Sequence, residues 1–300
     1  MKMKRRKKLN LLVTLGLLSI AVIWGSGFIA TQIAIDEGLS TAFIMFVRFT
    51  VASIVLGVSF KEDVLKMKKI DFKIGLIAGT LLFLGFTLQT IGLGFTTPSS
   101  NAFITATSVV MVPFLSWFVL KEKPENKIFL AATICLTGIG MLAFGPGGGM
   151  KLGIGDALTL LCAVAFAMHA VSMGKFAPKM NSNLLTFLQI TTSAVYSFIM
   201  FMLMDRDFSA FTSIKGLLAV LYLGIFSTFI AYTIQTLCQR FASPSKVSII
   251  VSTEALIGSL FSVILGYESF TYFLFAGGIA IIMAMLIIEI DFISFRKSSQ

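Results

Sequence analysis

The sequence predicts an all-α integral membrane protein of ten transmembrane helices, built as two inverted five-helix repeats. Three observations lead there: an apolar composition, ten long apolar runs, and a duplication at a fixed offset. Of the 300 residues, 57% are apolar and the mean hydropathy is +0.94, which is too apolar for a solvated surface. The stretch from Gly85 to Glu122 recurs 146 residues later, from Ala231 to Glu268, pairing Thr87 with Thr233, Gln89 with Gln235, Thr90 with Thr236 and Pro98 with Pro244. Ser99 with Ser245, Thr107 with Thr253 and Glu122 with Glu268 continue the register. A fixed offset over so long a run marks internal duplication. Five crossings separate the copies, an odd number, so the second is inserted upside down, the arrangement found in secondary transporters.

Taken in order, the chain opens on a tail with six basic residues between Met1 and Lys8. The apolar run Leu11 to Ile35 that follows is too long for a cleaved signal, whose apolar core is about 7–15 residues, and suits a retained span of about 20 residues. Further helices are predicted at Thr41 to Phe60, Ile74 to Phe95, Asn101 to Leu120 and Ile128 to Phe144. The Gly145 to Gly149 segment, interrupted only by Pro146, then breaks any helix and divides the repeats at 1–149 and 150–300. The second half offers Ile154 to Gly174, Leu184 to Leu203, Gly216 to Phe241, Lys246 to Gly266 and Tyr272 to Ile290.

The net charge of +10 is an orientation signal rather than a mark of nucleic-acid binding. With the N-terminus in the cytoplasm, twenty of the 24 Lys and Arg fall on cytoplasmic segments; only Lys151, Arg206 and Lys215 fall outside, and Arg48 lies within a helix. That bias orients both termini to the cytoplasm. Glu122 then lies inside and its repeat partner Glu268 outside, so the same motif faces opposite ways. Cys135, Cys162 and Cys238 each stand alone in apolar runs and read as small packing residues.

Ionisable groups deep in apolar helices are costly and mark function by default. Arg48, His169 and Glu254 qualify. Glu254, mid-way along the ninth helix, is the residue expected to couple a proton or bind a cationic part of a solute, against a reading as a neutral helix lock. Its repeat partner is Ser108, which with Asn101 and Thr105 forms a polar stripe at helical spacing. Another flank of the ninth helix carries Ser248, Ser252, Ala255, Ser259 and Ser262, small residues that let helices approach. Both features place the fourth and ninth helices at the centre of the bundle. Pro113 interrupts the donor series of the fourth helix and is a hinge candidate. Arg48 is read as snorkelling, pairing with Asp36 or Glu37, or meeting substrate. His169 has no metal-binding or catalytic companion, so a hydrogen bond or packing is its default. Trp24 is mid-helix, away from the interfacial belt where Trp117 belongs, and reads equally as core or cavity lining. Gln89 and Gln235, retained by the duplication, and Tyr232, one turn before the second, suit interhelical hydrogen bonds or solute contact.

These residues resemble a known family. The pairs Trp24-Gly25 and Arg48-Phe49, the run Thr96-Thr97-Pro98-Ser99-Ser100-Asn101-Ala102-Phe103-Ile104-Thr105, the segment Val110-Met111-Val112-Pro113 and the closure Lys121-Glu122-Lys123-Pro124 look like EamA-type members of the drug/metabolite transporter superfamily. Ala242-Ser243-Pro244-Ser245-Lys246, Ser252-Thr253-Glu254 and Gly266-Tyr267-Glu268 match in the second half. Where the family often has proline after the glutamate this chain has Ala255, which leaves open a second kink in the ninth helix equivalent to that of the fourth. The resemblance implies ten helices about a central cavity and transport of small metabolites, most often export of amino acids or related compounds.

The expected function is thus a secondary transporter of the cytoplasmic membrane working by alternating access, one half rocking against the other. No nucleotide-binding loop is present, so no cofactor is expected and coupling falls to a gradient, a proton among the candidates. An intramembrane enzyme would need a reactive pair or metal cluster at mid-depth, which one His, one Glu and one Arg on separate helices do not supply. A small-solute channel is the other alternative.

Overall fold

Apolar runs of about 20 residues have only one stable solution in hydrocarbon, a helix that satisfies its own backbone. The computed structural model describes residues 2–93, 95, 98–121, 123–144, 153–205, 213–266 and 269–289. Among them ten helices are long and apolar enough to cross a bilayer: Lys8–Asp36, Thr41–Ser59, Lys69–Gly92, Phe103–Leu120, Asn126–Ala143, Ile154–Phe176, Ser182–Met204, Ile214–Gln239, Pro244–Ile264 and Tyr272–Glu289. They coincide with the ten apolar runs to within a few residues. A short helix not expected from those runs, Lys61–Leu65, joins the second span to the third and buries none of its residues. Glu122, Glu268, the Gly145 to Gly149 joint, Lys151, Arg206 and the Thr96-Thr97 pair lie outside the described residues.

Short polar residues start the helices. Ser40, Ser213 and Ser243 each accept a backbone N–H from the first turn that follows, and Pro244 occupies the first position of its helix, where its missing N–H costs nothing. Asn181 does the same for Asn183 and Leu184. The fifth and tenth spans pack closely because Gly138 and Gly277 lie against each other's backbone; a Cβ on either would meet the opposite carbonyl oxygen at 2.7 or 2.6 Å.

The contacts divide the spans into two bundles that cross the sequence halves. The sixth span packs on the third and fourth, and the seventh on the third; in matching fashion the first packs on the eighth and ninth, and the second on the eighth. Each pair in one set is the repeat counterpart of a pair in the other. The second and seventh spans, and the fifth and tenth, join the two sets. The packed units are therefore spans three, four, six and seven against one, two, eight and nine. The expectation of one sequence half rocking against the other needs correcting, because each unit draws helices from both halves.

The fourth and ninth spans are each interrupted near mid-length. Helix gives way at Thr107, between Pro98–Ala106 and Ser108–Leu120, and at Ser252, between Pro244–Val251 and Thr253–Ile264. At Thr107 the bonds tighten: its N–H reaches Ile104 O at 3.1 Å and Val110 N–H reaches Thr107 O at 3.0 Å. Its hydroxyl also donates to Ile104 O at 2.6 Å, and the Thr253 hydroxyl donates to Ile250 O at 2.7 Å. Hydroxyls that bond back to the preceding turn bend helices. So the ninth span is interrupted without a proline, while helix continues through Pro113.

The seam between the bundles differs at its two ends. At the end where Lys121, Lys123, Lys175, Lys179 and Lys246 gather, called the basic end below, Ser108–Leu120 packs against Pro244–Val251. Val13, Leu17, Ile20, Cys238, Val247, Ile249 and Ile250 form a sealed apolar core there. At the far end Pro98–Ala106 and Thr253–Ile264 make no comparable contact. The ninth span records the change: its Pro244–Val251 half buries Pro244, Ser245, Val247, Ile249, Ile250 and Val251, whereas Thr253–Ile264 buries only Thr253. The seam is packed at the basic end and lacks the corresponding contact at the other. The fourth span is less central than expected, since Phe114, Trp117 and Phe118 face outward at the basic end, with Lys123 over the Trp117 ring at 5.3 Å. Outside the membrane, the far-end loops are tied by Ser213 Oγ donating to Glu37 at 2.8 Å and by Lys215 at 3.3 Å; both hold the Glu37 carboxyl below its ordinary value.

Candidate functional site

The site is built where the first span meets the eighth and the ninth and the second packs on the eighth. Gly25 lets the first span lie on the ninth at Glu254; a Cβ there would meet the Glu254 carbonyl oxygen at 3.1 Å. Next to it the Trp24 indole donates to Ser227 O at 2.8 Å and its ring lies 5.3 Å from that of Tyr232. Ser227 belongs to a π-helical segment, Leu223–Ile230, within the eighth span. The wider turn is closed by Thr228, whose hydroxyl donates to Leu223 O five residues back at 2.9 Å. Such segments are frequent at functional sites, and this one supplies the group that holds Arg48.

Arg48 is 9% exposed. Its Nε donates to Thr228 Oγ1 at 3.1 Å, and its guanidinium lies over the rings of Phe86 at 4.8 Å and Phe49 at 5.4 Å. The expected pairing with Asp36 or Glu37 does not form: Asp36 is bonded by Gln32, and Glu37 by Ser213 and Lys215. These carboxylates sit on the far-end loop, beyond the reach of a side chain that the eighth span and two aromatic rings have already claimed.

Arg48, Tyr232 and Glu254 belong together. Tyr232 lies within electrostatic reach of both the cation and the acid, and Trp24, Phe49, Phe86, Phe166 and Tyr232 pack in one cluster. Among the described residues neither the Glu254 carboxyl, the Tyr232 hydroxyl nor the terminal nitrogens of Arg48 has a hydrogen-bond partner, yet none is among the sealed unpaired atoms. Arg48 and Tyr232 are buried and Glu254 is half-buried. The arrangement is an aromatic cluster in which Tyr232 lies near both the Arg48 cation and the Glu254 acid. The acid stands in the first turn of Thr253–Ile264, where a helix N-terminus favours negative charge.

The remaining candidates separate. Asn101 and Thr105 sit in a polar junction of the third, fourth and sixth spans. Asn101 Nδ2 donates to Gln89 O and to Thr159 Oγ1, both at 2.9 Å, and Gln89 Nε2 donates to Thr105 Oγ1 at 3.2 Å. Their half-helix packs on the fifth and sixth spans, whereas that of Glu254 packs on the first. Ser108 opens the other half of the fourth span. His169 bonds Gln189 Oε1 at 2.7 Å, and Gln189 Nε2 donates to Thr236 Oγ1 at 3.1 Å, linking the sixth, seventh and eighth spans. Gln235 and Gln239 each carry a sealed, unpaired Oε1. Sequence reasoning missed Phe86, Thr228, Gln189 and Gln239. Only Gln239 had a legible signal, its position four residues after Gln235 on one helical face. Among the described residues no group of His, Cys, Asp and Glu could hold a metal, and the three cysteines are free and buried.

A ten-span, internally repeated bundle with polar groups at a mid-membrane seam defines a membrane transporter. The EamA-like transporter family matches the chain twice, over residues 11–144 and 153–290, and the protein belongs to that family of transporters, which are not enzymes. It is 32% identical over 287 residues to an uncharacterized transporter of Archaeoglobus fulgidus, covering 94% of this chain and 87% of the relative. A second uncharacterized transporter, from Clostridium kluyveri, is 22% identical over 255 residues, covering 80% of each. A protein known by crystal structure has the same fold, with a TM-score of 0.79 and 19% identity over 92% of this chain and 96% of that one.

Proposed function

We propose that the protein is a secondary transporter that exports a small metabolite, an amino acid or related compound, across the cytoplasmic membrane by alternating access. The observation that carries this reading is the grouping of the Arg48 terminal nitrogens, the Tyr232 hydroxyl and the Glu254 carboxyl, without hydrogen-bond partners among the described residues, in one aromatic cluster read as the solute chamber, beside a seam packed at one end only. A solute with an anionic and a cationic group would satisfy Arg48 and Glu254 at once, with Trp24 and Tyr232 enclosing its apolar part. Glu254 is also the group through which a coupling proton would pass. The basic end is the cytoplasmic end, by the positive-inside rule, so both termini are cytoplasmic and the far end faces outward. The repeats divide at 1–149 and 150–300. Asn101, Thr105, Ser108 and Gln89 support the chamber from the third and fourth spans, and His169 ties its floor to the seventh. Pro113 serves as the flexible point of the lower fourth span.

The test is counterflow in proteoliposomes loaded with a panel of unlabelled amino acids and their amines. Uptake of a labelled solute driven by its unlabelled counterpart is expected for at least one member and is lost in Glu254→Gln. Passive equilibration without counterflow would replace the carrier by a channel.

A further inference from the structure

The closed end of the seam contains polar groups that its apolar core does not explain. Gln235 is 8% exposed and Gln239 is 1% exposed, and one amide atom of each is sealed without a partner. They lie one turn apart on the eighth span, below Tyr232 and above Arg240, on a line from the chamber to the basic end. The other amide atom of Gln239 donates to Ala170 O of the sixth span at 3.3 Å, across the seam.

The duplication shows that these groups are not left over from a shared hydrogen-bond network. In the first copy Gln89 Nε2 donates to Thr105 Oγ1 and Asn101 Nδ2 donates to the Gln89 backbone carbonyl. At the equivalent positions of the second copy stand Val251 and Val247, and Gln239 takes the place of Leu93. The second copy has neither of these neighbours, has the glutamine and has a further one. Buried unpaired acceptors are destabilising and rare. A seam that stayed shut would gain by replacing both with apolar residues, whereas a seam that opens gives them partners.

We propose that Gln235 and Gln239 form a second solute-contacting station, on the route between the chamber and the basic end, that accepts a hydrogen bond from an N–H or O–H donor when the seam opens there. The donor is the ammonium of the solute, and the station rests on the alternating-access reading above. In the closed state the first span and the Pro244–Val251 half of the ninth cover it.

The test uses the full-length protein with Cys135, Cys162 and Cys238 replaced by alanine, carrying Gln235→Cys, Gln239→Cys, Ile249→Cys or Glu254→Cys. Cationic aminoethyl and anionic sulfonatoethyl methanethiosulfonate are applied to intact cells and to everted vesicles, with rates scaled to a free thiol. Gln235→Cys and Gln239→Cys are expected to react from the basic-end face only, at least tenfold faster with the cationic reagent, while Ile249→Cys stays unreacted. Equal rates with the two reagents would reduce the route to a water-filled passage and overturn the station. No reaction at either glutamine position, with Glu254→Cys still labelled from the far end, would overturn the route but leave the chamber standing. If Glu254→Cys reacts from neither face, the chamber reading itself fails. Gln239→Leu supplies a second readout: slower labelling of Gln235→Cys by at least tenfold with an unchanged or raised melting temperature, where a merely structural glutamine would lower the melting temperature and leave the rate alone.

Discussion

Replacing Arg48 by methionine separates a structural cation from a solute-binding one. The Nε bond to Thr228, charge-assisted, is worth about 1.5–3 kcal/mol. The stacks on Phe49 and Phe86 add about 0.5–2 kcal/mol each. Against them stands an effective desolvation cost of several kcal/mol for a buried ion that has no counter-charge. The two sides nearly cancel, so Arg48→Met is expected to shift folding stability by no more than about 2 kcal/mol. Thr228 is not orphaned, because its hydroxyl already donates to Leu223 O at 2.9 Å. Transport behaves differently. If the terminal nitrogens take a solute anion, two charge-assisted bonds of about 1.5–3 kcal/mol each are lost, and at 1.4 kcal/mol per tenfold the rate falls by about a hundredfold or more. Arg48→Lys should rescue little, since an ammonium lacks the planar fork. The assays are detergent melting and counterflow with the solute found in the amino-acid panel. A methionine variant that keeps transport within threefold, or that unfolds while Arg48→Lys restores its melting temperature, refutes the reasoning.

Four further outcomes are expected. Glu254→Gln inserts and folds normally but loses gradient-driven transport and flattens the pH profile between about pH 5 and 8; native rates with an unchanged profile would make Glu254 a helix lock. Asn101→Leu removes bonds to Gln89 and Thr159 and lowers stability by about 1–3 kcal/mol, whereas Thr105→Trp blocks transport at native expression; unchanged uptake in the latter would leave Thr105 a packing role only. A cysteine at Gly147 is labelled by an impermeant reagent outside intact cells and one at Asn126 is not, and labelling at Asn126 reverses the orientation. Ser213 and Lys215 hold the Glu37 carboxyl below its ordinary value, so their contribution is present at neutral pH and lost as pH falls through the lowered value; Glu37→Gln should abolish that acid dependence, measured by melting temperature at low salt.

The spans were legible because a 20-residue apolar run has one stable solution in lipid, and the family was legible because its motifs follow the repeat. Geometry at the site was less so. The partner of Arg48 depends on a π-helical widening that brings Thr228 to it, and no periodicity in Leu223 to Ile230 announces that widening. Carboxylates near in sequence, Asp36 and Glu37, drew attention from the real neighbours, Phe86 and Thr228, which arrive from other spans. Asn101 and Thr105 did form a polar stripe, but the stripe faces Gln89 and Thr159, because helix periodicity reports which residues share a face and not which helix that face meets. The interruption of the ninth span was hidden for a related reason. Proline is the visible cause of a break, whereas a threonine hydroxyl bonding back one turn acts only once the helix exists.

The interrupted spans connect the two ends of the proposed cycle. By the repeat, Pro98–Ala106 corresponds to the Pro244–Val251 half and Ser108–Leu120 to the Thr253–Ile264 half. The closed end of this structure is made by Ser108–Leu120 on Pro244–Val251. Exchanging the roles of the two copies turns that contact into Thr253–Ile264 on Pro98–Ala106, the pair that stands apart here. A state closed at the far end and open at the basic end therefore needs no new surfaces, since the duplicated segments already contain both closures, and the breaks at Thr107 and Ser252 let each half-helix move while the other stays packed. The copies are not equal, however. The far-end closure would bring together segments whose polar groups, Asn101 and Thr105, are hydrogen-bonded within their own bundle, while opening the basic end frees Gln235 and Gln239 from an apolar seam that leaves an amide atom of each unpaired. The duplication thus supplies two similar packing segments, and the basic-end one holds unpaired amide oxygens where it is packed.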